Sequence, residues 1–325
     1  MVLGHNERVP KRSKWPLAAG LMAGVALDAL VGDPRRGHPV AAFGRAAAAL
    51  EARDYADSRR RGAAHAAACV LAVAVPAAAL HRRTRGRPPW QAAAVATAVW
   101  AVTGARSLQF EAERAASSLR RRDLAAARTV LPSLCGRDPA TLDSAGMARA
   151  VVESVAENTS DAVVAPLLWG AVAGIPGLVA YRAVNTLDAM VGYCSARYLR
   201  FGWAAARMDD VANWIPARVT AALTAACAPL VTGTNPVSVL NVVRRDGGRH
   251  PSPNAGRCEA AFAAALGVRL GGTNVYAGVT ETRPDLGEGR APEPADIRRA
   301  VTLSRAVTVS ATALAVLVAV FTGGA

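Results

Sequence analysis

The sequence predicts an all-α fold: a polytopic helical membrane protein with four to six membrane segments, whose polar helical loops form the site. Three observations predict it. Hydrophobic residues make up 52% of the 325 positions while aromatics supply only 5%, and the mean hydropathy is +0.20, where a soluble chain of this size is usually polar on average. Four stretches, near 63–80, 88–105, 162–181 and 304–322, approach the ~20 apolar residues that a bilayer crossing needs. Nothing along the chain suggests a β-sheet.

Residues 1–14 read as an N-terminal extension. Lys11, Arg12 and Lys14 before an apolar run imitate a signal peptide, but Ala29-Leu30-Val31 leads into Gly32-Asp33-Pro34 without a convincing small-x-small cleavage site, so the segment is expected to be retained. Residues 15–325 form one expected integral membrane domain, with 106–160 and 236–300 largely outside the bilayer. Two further stretches are marginal spans: 17–31 is short and contains Asp28, and 215–231 contains Arg218. The surest span is the last, because 307–321 carries no charge at all. Alanine is weakly apolar, so the Ala-rich spans insert less firmly than Leu-rich ones would.

Between 106 and 150, Leu108, Ala112, Ala115 and Leu119 share a helical face. This predicts an amphipathic helix pair broken at Pro132 and at 136–139. Residues 283–299 read as a polar, Pro/Gly-rich loop. Segment 162–181 contains Pro166, Gly170, Gly174 and Ile175-Pro176-Gly177. It reads either as a kinked ordinary span or as a re-entrant hairpin whose half-helix ends point into a polar cavity.

The net charge is +14, carried almost wholly by arginine. That favours an anionic partner such as lipid or a phosphorylated ligand, although biased codon usage explains it equally well. No basic block resembles a nucleic-acid module and aromatics are too sparse for base stacking, so no nucleic-acid partner is expected. The five cysteines are scattered without a CxxC pair, which predicts free thiols rather than a zinc site or a disulfide framework.

Five polar clusters stand against the Ala/Val background. The first, at 32–39, contains Asp33 and His38, which read equally as a cap and a surface residue. In the second, Glu153, Glu157 and Asp161 recur at four-residue steps, stacking three carboxylates on one helical face. Like charges so spaced repel. Magnesium takes one or two carboxylates plus nucleotide phosphates, so this is the candidate metal–nucleotide site; a solvated acidic face is the plainer reading. In the third, Asn185 and Asp188 share a face within an apolar run, where ionisable groups are functional by default. The fourth places Arg207, Asp209, Asp210, Asn213 and Arg218 together. Its arginines suit phosphate or carboxylate, or else simply snorkel from an interfacial helix beside Trp203 and Trp214. The fifth joins Asn254 and Glu259 to Arg269, Gly271, Gly272 and Asn274, glycines there allowing backbone N–H groups to approach an anion. No P-loop and no GxGxxG string is present.

Taken together, the strings GDPRRGHP (32–39), ENTSDAVVAPL (157–167), NTLDAMVGY (185–193), FGWAAARMDDVANWIPAR (201–218) and SPNAG…ALGVRLGGTNVYAG (252–278) resemble the CobD/CbiB family of adenosylcobinamide-phosphate synthases. The resemblance covers roughly 15–280, in the family's order. It implies a multi-pass cell-membrane enzyme of cobalamin (vitamin B12) biosynthesis. Its reaction would be ATP-dependent amide formation between adenosylcobyric acid and (R)-1-amino-2-propanol phosphate, with ATP as co-substrate and Mg²⁺ as cofactor. The implied partners are those substrates and the lipid bilayer, with room for a homo-oligomer or contact with other late cobalamin enzymes. On this reading Glu153, Glu157 and Asp161 hold the metal, Arg207, Arg218 or Arg269 the amine's phosphate, and Asp209 or Asp210 accepts the ammonium proton. Glu157, Asp161, Asp209 and Asp210 are then the expected catalytic set; Asp33, His38, Asn158, Asn185, Asp188, Asn213, Asn254 and Asn274 complete the expected binding set. The alternatives are a non-catalytic sensor or transporter of the same superfamily and an intramembrane Mg²⁺-dependent transferase, which would need a second acidic repeat beside Asp209-Asp210.

Overall fold

A computed structural model describes residues 15–34, 37–276 and 279–322. The expected extension at 1–14 and Arg35-Arg36 of the first polar string lie outside the described residues. The chain is helical almost throughout. It opens with α1 (Trp15–Val31), α2 (Pro39–Asp54), α3 (Arg59–Thr84), α4 (Pro88–Val102), α5 (Ala105–Arg120) and α6 (Leu124–Val130). Then come α7 (Ser144–Thr159) and α8 (Ala165–Val191), joined by a π turn at Ser160–Val164. The rest comprises α9 (Tyr198–Phe201), α10 (Trp203–Ala212), α11 (Trp214–Val231), α12 (Pro236–Asp246), α13 (Ala255–Leu266) and α14 (Pro294–Thr322).

Four helical stretches are long and apolar enough to cross a membrane: Arg59–Thr84, Ser144–Val191, Trp214–Val231 and Pro294–Phe321. This agrees with an all-α polytopic membrane protein but shifts two expected spans. The run at 88–105 yields a helix of only 15 residues, about 22 Å long at 1.5 Å per residue, because Pro88 starts it and Thr103-Gly104 ends it. Conversely, the marginal run at 215–231 becomes a qualifying helix of 18 residues.

α14 lies at the centre of the bundle. Leu303, Val307, Ala311, Ala315 and Ala319, at steps of four, are buried to within 1% along one face. Val309, Leu317 and Phe321 face outward, as do Leu71, Val75 and Leu80 of α3. Large apolar side chains turned outward along long helices are what a lipid environment calls for. Between helices the contact is through small residues. A methyl at Gly20 or Gly24 of α1 would fall 2.6 Å and 2.4 Å from the Cβ atoms of Val95 and Val99 on α4, so the two helices approach as closely as glycine permits.

The polar loop expected at 283–299 is a correction. Two antiparallel strands, β1 (Leu270–Tyr276) and β2 (Val279–Leu286), pair with Thr273 opposite Thr282 and Asn274 opposite Glu281. Val275, Thr280 and Thr282 favour extended backbone, but the two glycines and Pro284 mask the alternation that would announce a strand. Helix α14 then begins already at Pro294.

The segment at 162–181 decides the architecture. Ser144–Val191 reads as 48 continuous helical residues, yet Gly174 has φ 65° and ψ −150°, a conformation that only glycine adopts readily. The chain folds back there. Asn185 Nδ2 lies 3.3 Å from Asp161 Oδ2, whereas 24 positions along a straight helix would separate them by about 36 Å. A methyl at Gly177 would fall 2.4 Å from the carbonyl oxygen of Trp169, so the arms pack backbone to backbone. Of the two forms considered for this segment, the chain takes the hairpin, its arms folded side by side; Pro176 just past the corner starts the returning arm without needing an N–H.

Gly174→Ala would place a Cβ 2.6 Å from the His81 ring as well as forcing the strained φ. It is expected to destabilise the fold by about 1–3 kcal/mol, read as a lowered thermal midpoint in detergent. Gly44→Ala, whose new methyl would make ordinary contacts with Met190 Sδ at 3.6 Å and Thr186 Cγ2 at 4.0 Å, should leave the midpoint unchanged.

Candidate active site

The fold-back sets the polar residues of α7, α8, α10 and α13 around one cavity of about 510 Å³. Its wall carries Glu153, Glu157, Asp161, Asp188, Asp209, Asp210 and Glu259, together with Arg137, Arg283 and His250. The three carboxylates read as one helical face, Glu153, Glu157 and Asp161, do share this wall. Asp161 falls in the π turn, a local widening of the helix that recurs at functional sites.

A chain of amides ties the acids together. Asn185 Nδ2, on the returning arm of α8, lies 3.3 Å from both Asp161 Oδ2 and Asp209 Oδ1. Asn213 Nδ2 donates to both Asp209 oxygens at 3.0 Å, and Tyr181 donates its hydroxyl proton to Asn213 Oδ1 at 2.8 Å. Asn254 Nδ2 donates to the Asp210 carbonyl at 2.8 Å, closing the wall between α10 and α13. Burial pushes the Asp209 carboxyl above the usual range despite its amide donors. Burial, then the neighbouring Glu153 and Glu157 charges, push Glu259 well above it. Both shifts favour carboxyls able to exchange a proton.

Several expected site residues lie elsewhere, and each has a physical reason. Asn158 bonds back to its own helix, donating to the Ser154 carbonyl at 2.9 Å. Asp33 and His38 meet each other at 3.4 Å, and His38 Nδ1 accepts the Val40 N–H to cap α2. Arg207 has a side chain 67% exposed and pairs with Asp210 from outside. Arg218 stacks 4.0 Å over the Trp214 ring and reaches Asn254 Oδ1 only at 3.5 Å. Arg269 is exposed and faces Asp285 at 3.9 Å across a second groove. Asn274, buried, accepts from Arg149.

The three acids expected to hold a metal are not equivalent in the structure. Glu153 forms a buried ion pair with Arg137, and its other oxygen accepts the Gly271 N–H at 2.7 Å. The anion that the Gly271-Gly272 backbone approaches is therefore the protein's own Glu153. Among the described residues no three His, Cys, Asp or Glu side chains converge to hold a metal ion. The cavity nevertheless suits a cation. Seven carboxylates against two guanidiniums leave an acidic surplus, and Mg²⁺ bound through one or two carboxylates and phosphate oxygens needs no three-residue cage. Asp161 and Asp209, joined by Asn185, are the pair best set for it.

Sequence reasoning missed Arg137, His250 and Arg283, and gave Glu259 no role. Arg137 and Arg283 sit in stretches read as breakers and loop, and only folding brings them to the cavity. Glu259 left a signal: it is the one acid in the otherwise apolar turns of 258–266.

Fold and site together define a polytopic helical membrane protein with an acidic, guanidinium-bearing cavity beside a helical hairpin. Residues 21–304 match the family model described as CobD/Cbib protein. The chain is 56% identical over 306 residues to the cobalamin biosynthesis protein CobD of Mycobacterium tuberculosis (strain ATCC 25618 / H37Rv), covering 94% of this chain and 97% of that one. It is 45% identical over 281 residues to the protein of that name from Geobacter metallireducens (84% and 87% covered), and 42% identical over 317 residues to that from Sinorhizobium fredii (93% and 97%). The chain belongs to the CobD/CbiB family of cobalamin biosynthesis proteins. No solved structure matches it.

The Arg137–Glu153 pair has side chains 5% and 4% exposed. Removing one partner strands a buried charge, so Arg137→Met is expected to cost about 3–5 kcal/mol, measured by unfolding in detergent. The double change Arg137→Met with Glu153→Leu should recover a large part of that loss.

Proposed function

We propose that this protein is a multi-pass cell-membrane ligase of cobalamin biosynthesis that joins (R)-1-amino-2-propanol phosphate to adenosylcobyric acid, consuming ATP. The observation that carries the reading is the convergence of Glu157, Asp188, Asp210 and Asn254, from four separate polar strings, on one cavity. Family membership supplies the pathway, and the polar, acidic cavity supports a reaction that handles phosphates and moves a proton.

In the proposed course, a corrinoid carboxylate oxygen attacks the γ-phosphorus of ATP, releasing ADP and leaving an acyl phosphate. The amine nitrogen then attacks the acyl carbon, the C–N bond forms, phosphate departs with the C–O electron pair, and the nitrogen gives up a proton. Mg²⁺ bound at Asp161 and Asp209 would offset charge on the transferring phosphoryl group. Asn185 and Asn213 hold these two carboxylates in place. Asp210, Glu259 or an oxygen of Asp209 not engaged by the cation takes the ammonium proton. Arg137 and Arg283, rather than Arg207 or Arg269, are the guanidiniums positioned to meet phosphate oxygens.

The test is turnover by the purified full-length protein in detergent, supplied with both substrates and Mg-ATP. ADP and the amide are expected in equal amounts. Asp161→Asn and Asp209→Asn should each lower kcat by about a hundredfold or more, while Arg269→Ala, outside the cavity, changes it by about twofold or less. ADP release without amide would point to a different acceptor, and full activity in both Asn variants would sink the assignment of the cavity as the site.

A further inference from the structure

The turn between α3 and α4 carries Arg82, Arg83, Arg85 and Arg87 within six positions, and all four are exposed. Backbone bonds fix this turn: the Arg85 N–H donates to the His81 carbonyl at 3.1 Å, and the Arg87 N–H to that of Thr84 at 3.0 Å. Among the described residues none of the four guanidiniums has a hydrogen bond or an ion pair. Exposed arginines elsewhere do find acids: Arg114 meets Glu111, Arg197 meets Glu51 and Arg305 meets Glu113.

The difference is that no acid reaches this end of the bundle. No Asp or Glu occurs between Asp57 and Glu111. The corner of the α8 hairpin lies here, with Gly174 against the His81 ring, and the chain has no acid between Asp161 and Asp188. The one acid of α1, Asp28, accepts the Arg106 N–H at 3.2 Å, beyond the opposite end of α4. The acidic cavity is also remote. Gly104, just past α4, donates to the Ala162 carbonyl at 3.3 Å beside the π turn, and the 15 residues of α4 put about 22 Å between that level and the arginines.

The turn also lies where hydrocarbon gives way to water. Arg59–Thr84 is long and apolar enough to cross a membrane, and Leu71, Val75 and Leu80 face outward along it towards the arginines. Helices α1 and α4 run parallel, Gly20 abutting Val95 and Gly24 abutting Val99, so Trp15 stands at the level of Trp90. Both indoles are exposed, by 53% and 69%, and tryptophans sharing one level of a helical bundle mark the headgroup region. Unpaired cations at that depth attract anionic headgroups, and the guanidinium fork fits the two free oxygens of a phosphodiester.

We infer that the α3–α4 turn, with Trp15 and Trp90, is a binding surface for an anionic phospholipid. Its phosphodiester lies among the four guanidiniums and its acyl chains lie along Leu71, Val75 and Leu80. Selectivity comes from net charge, because a zwitterionic lipid offers the same phosphate but brings a cation of its own. The surface is separate from the acidic cavity and does not depend on the reaction proposed for it.

The test reconstitutes the full-length protein in phosphatidylcholine vesicles containing brominated phosphatidylglycerol or, at the same mole fraction, brominated phosphatidylcholine, and reads tryptophan quenching. Bromine quenches the indoles it touches, and the anionic lipid is expected to associate about tenfold or more tightly than the neutral one. Trp15→Phe with Trp90→Phe should remove most of the excess quenching, which places it at this end of the bundle. Arg82→Gln, Arg83→Gln, Arg85→Gln and Arg87→Gln together should abolish the excess, and the same four changed to Lys should keep at least half of it. Both variants should retain the thermal midpoint of the unaltered protein in phosphatidylcholine. Equal quenching by the two lipids overturns the inference, and so does an excess that survives the Gln changes or the loss of both indoles. Competition by inorganic phosphate at constant ionic strength overturns it too, since the site would then take a free anion rather than a lipid. Should the Gln variant fail to fold, the unaltered protein decides: raising salt from about 0.05 M to about 0.5 M is expected to shrink the excess, and an undiminished excess sinks the inference.

Discussion

The reversal of the chain at Gly174 is the constraint on which the site depends. A backbone that turns inside an apolar segment exposes polar groups where no water is available, and such a break is tolerated only where protein or a wet cavity satisfies them. Here the returning arm brings Tyr181 and Asn185 against Asp161 and Asn213. The side-chain donors of the returning arm therefore meet acceptors at the π turn and on Asn213. A straight helix through the same residues would scatter these groups along some tens of ångströms of lipid-facing surface.

Electrostatics divides the cavity into two kinds of carboxylate. Glu153 is committed, held by Arg137 and by the Gly271 N–H, and so anchors the β-hairpin to α7. Asp161 and Asp209 accept from the neutral amides of Asn185 and Asn213, which orient a carboxylate without cancelling its charge. One set of acids serves the architecture and the other stays available for chemistry. The same division explains why a spacing argument that treats Glu153, Glu157 and Asp161 alike finds the wall they share but does not separate the ion-paired Glu153 from the other two.

The positions of Arg207, Arg218 and Arg269 teach a related lesson. All three stand in polar strings beside residues that do reach the cavity, and all three turn away: towards a surface ion pair, an indole ring and a second groove respectively. A long side chain with a free path to the surface keeps its charge hydrated. The guanidiniums that line the cavity, Arg137 and Arg283, come instead from a connecting bend and a strand.

By itself the sequence determined the helical membrane character, through long uncharged runs such as 307–321, and the identity of most cavity acids, because ionisable groups are costly in an apolar context and persist there only for a reason. Those signals are local: a run length, a four-residue spacing. The β-hairpin escaped notice because Gly271, Gly272 and Pro284 interrupt its alternation. Only the tertiary structure decided which way 162–181 folds, which arginines face inward, and that His250 and Arg283 meet. Each of those outcomes joins residues tens of positions apart, and no local period encodes a contact made by closing a chain upon itself.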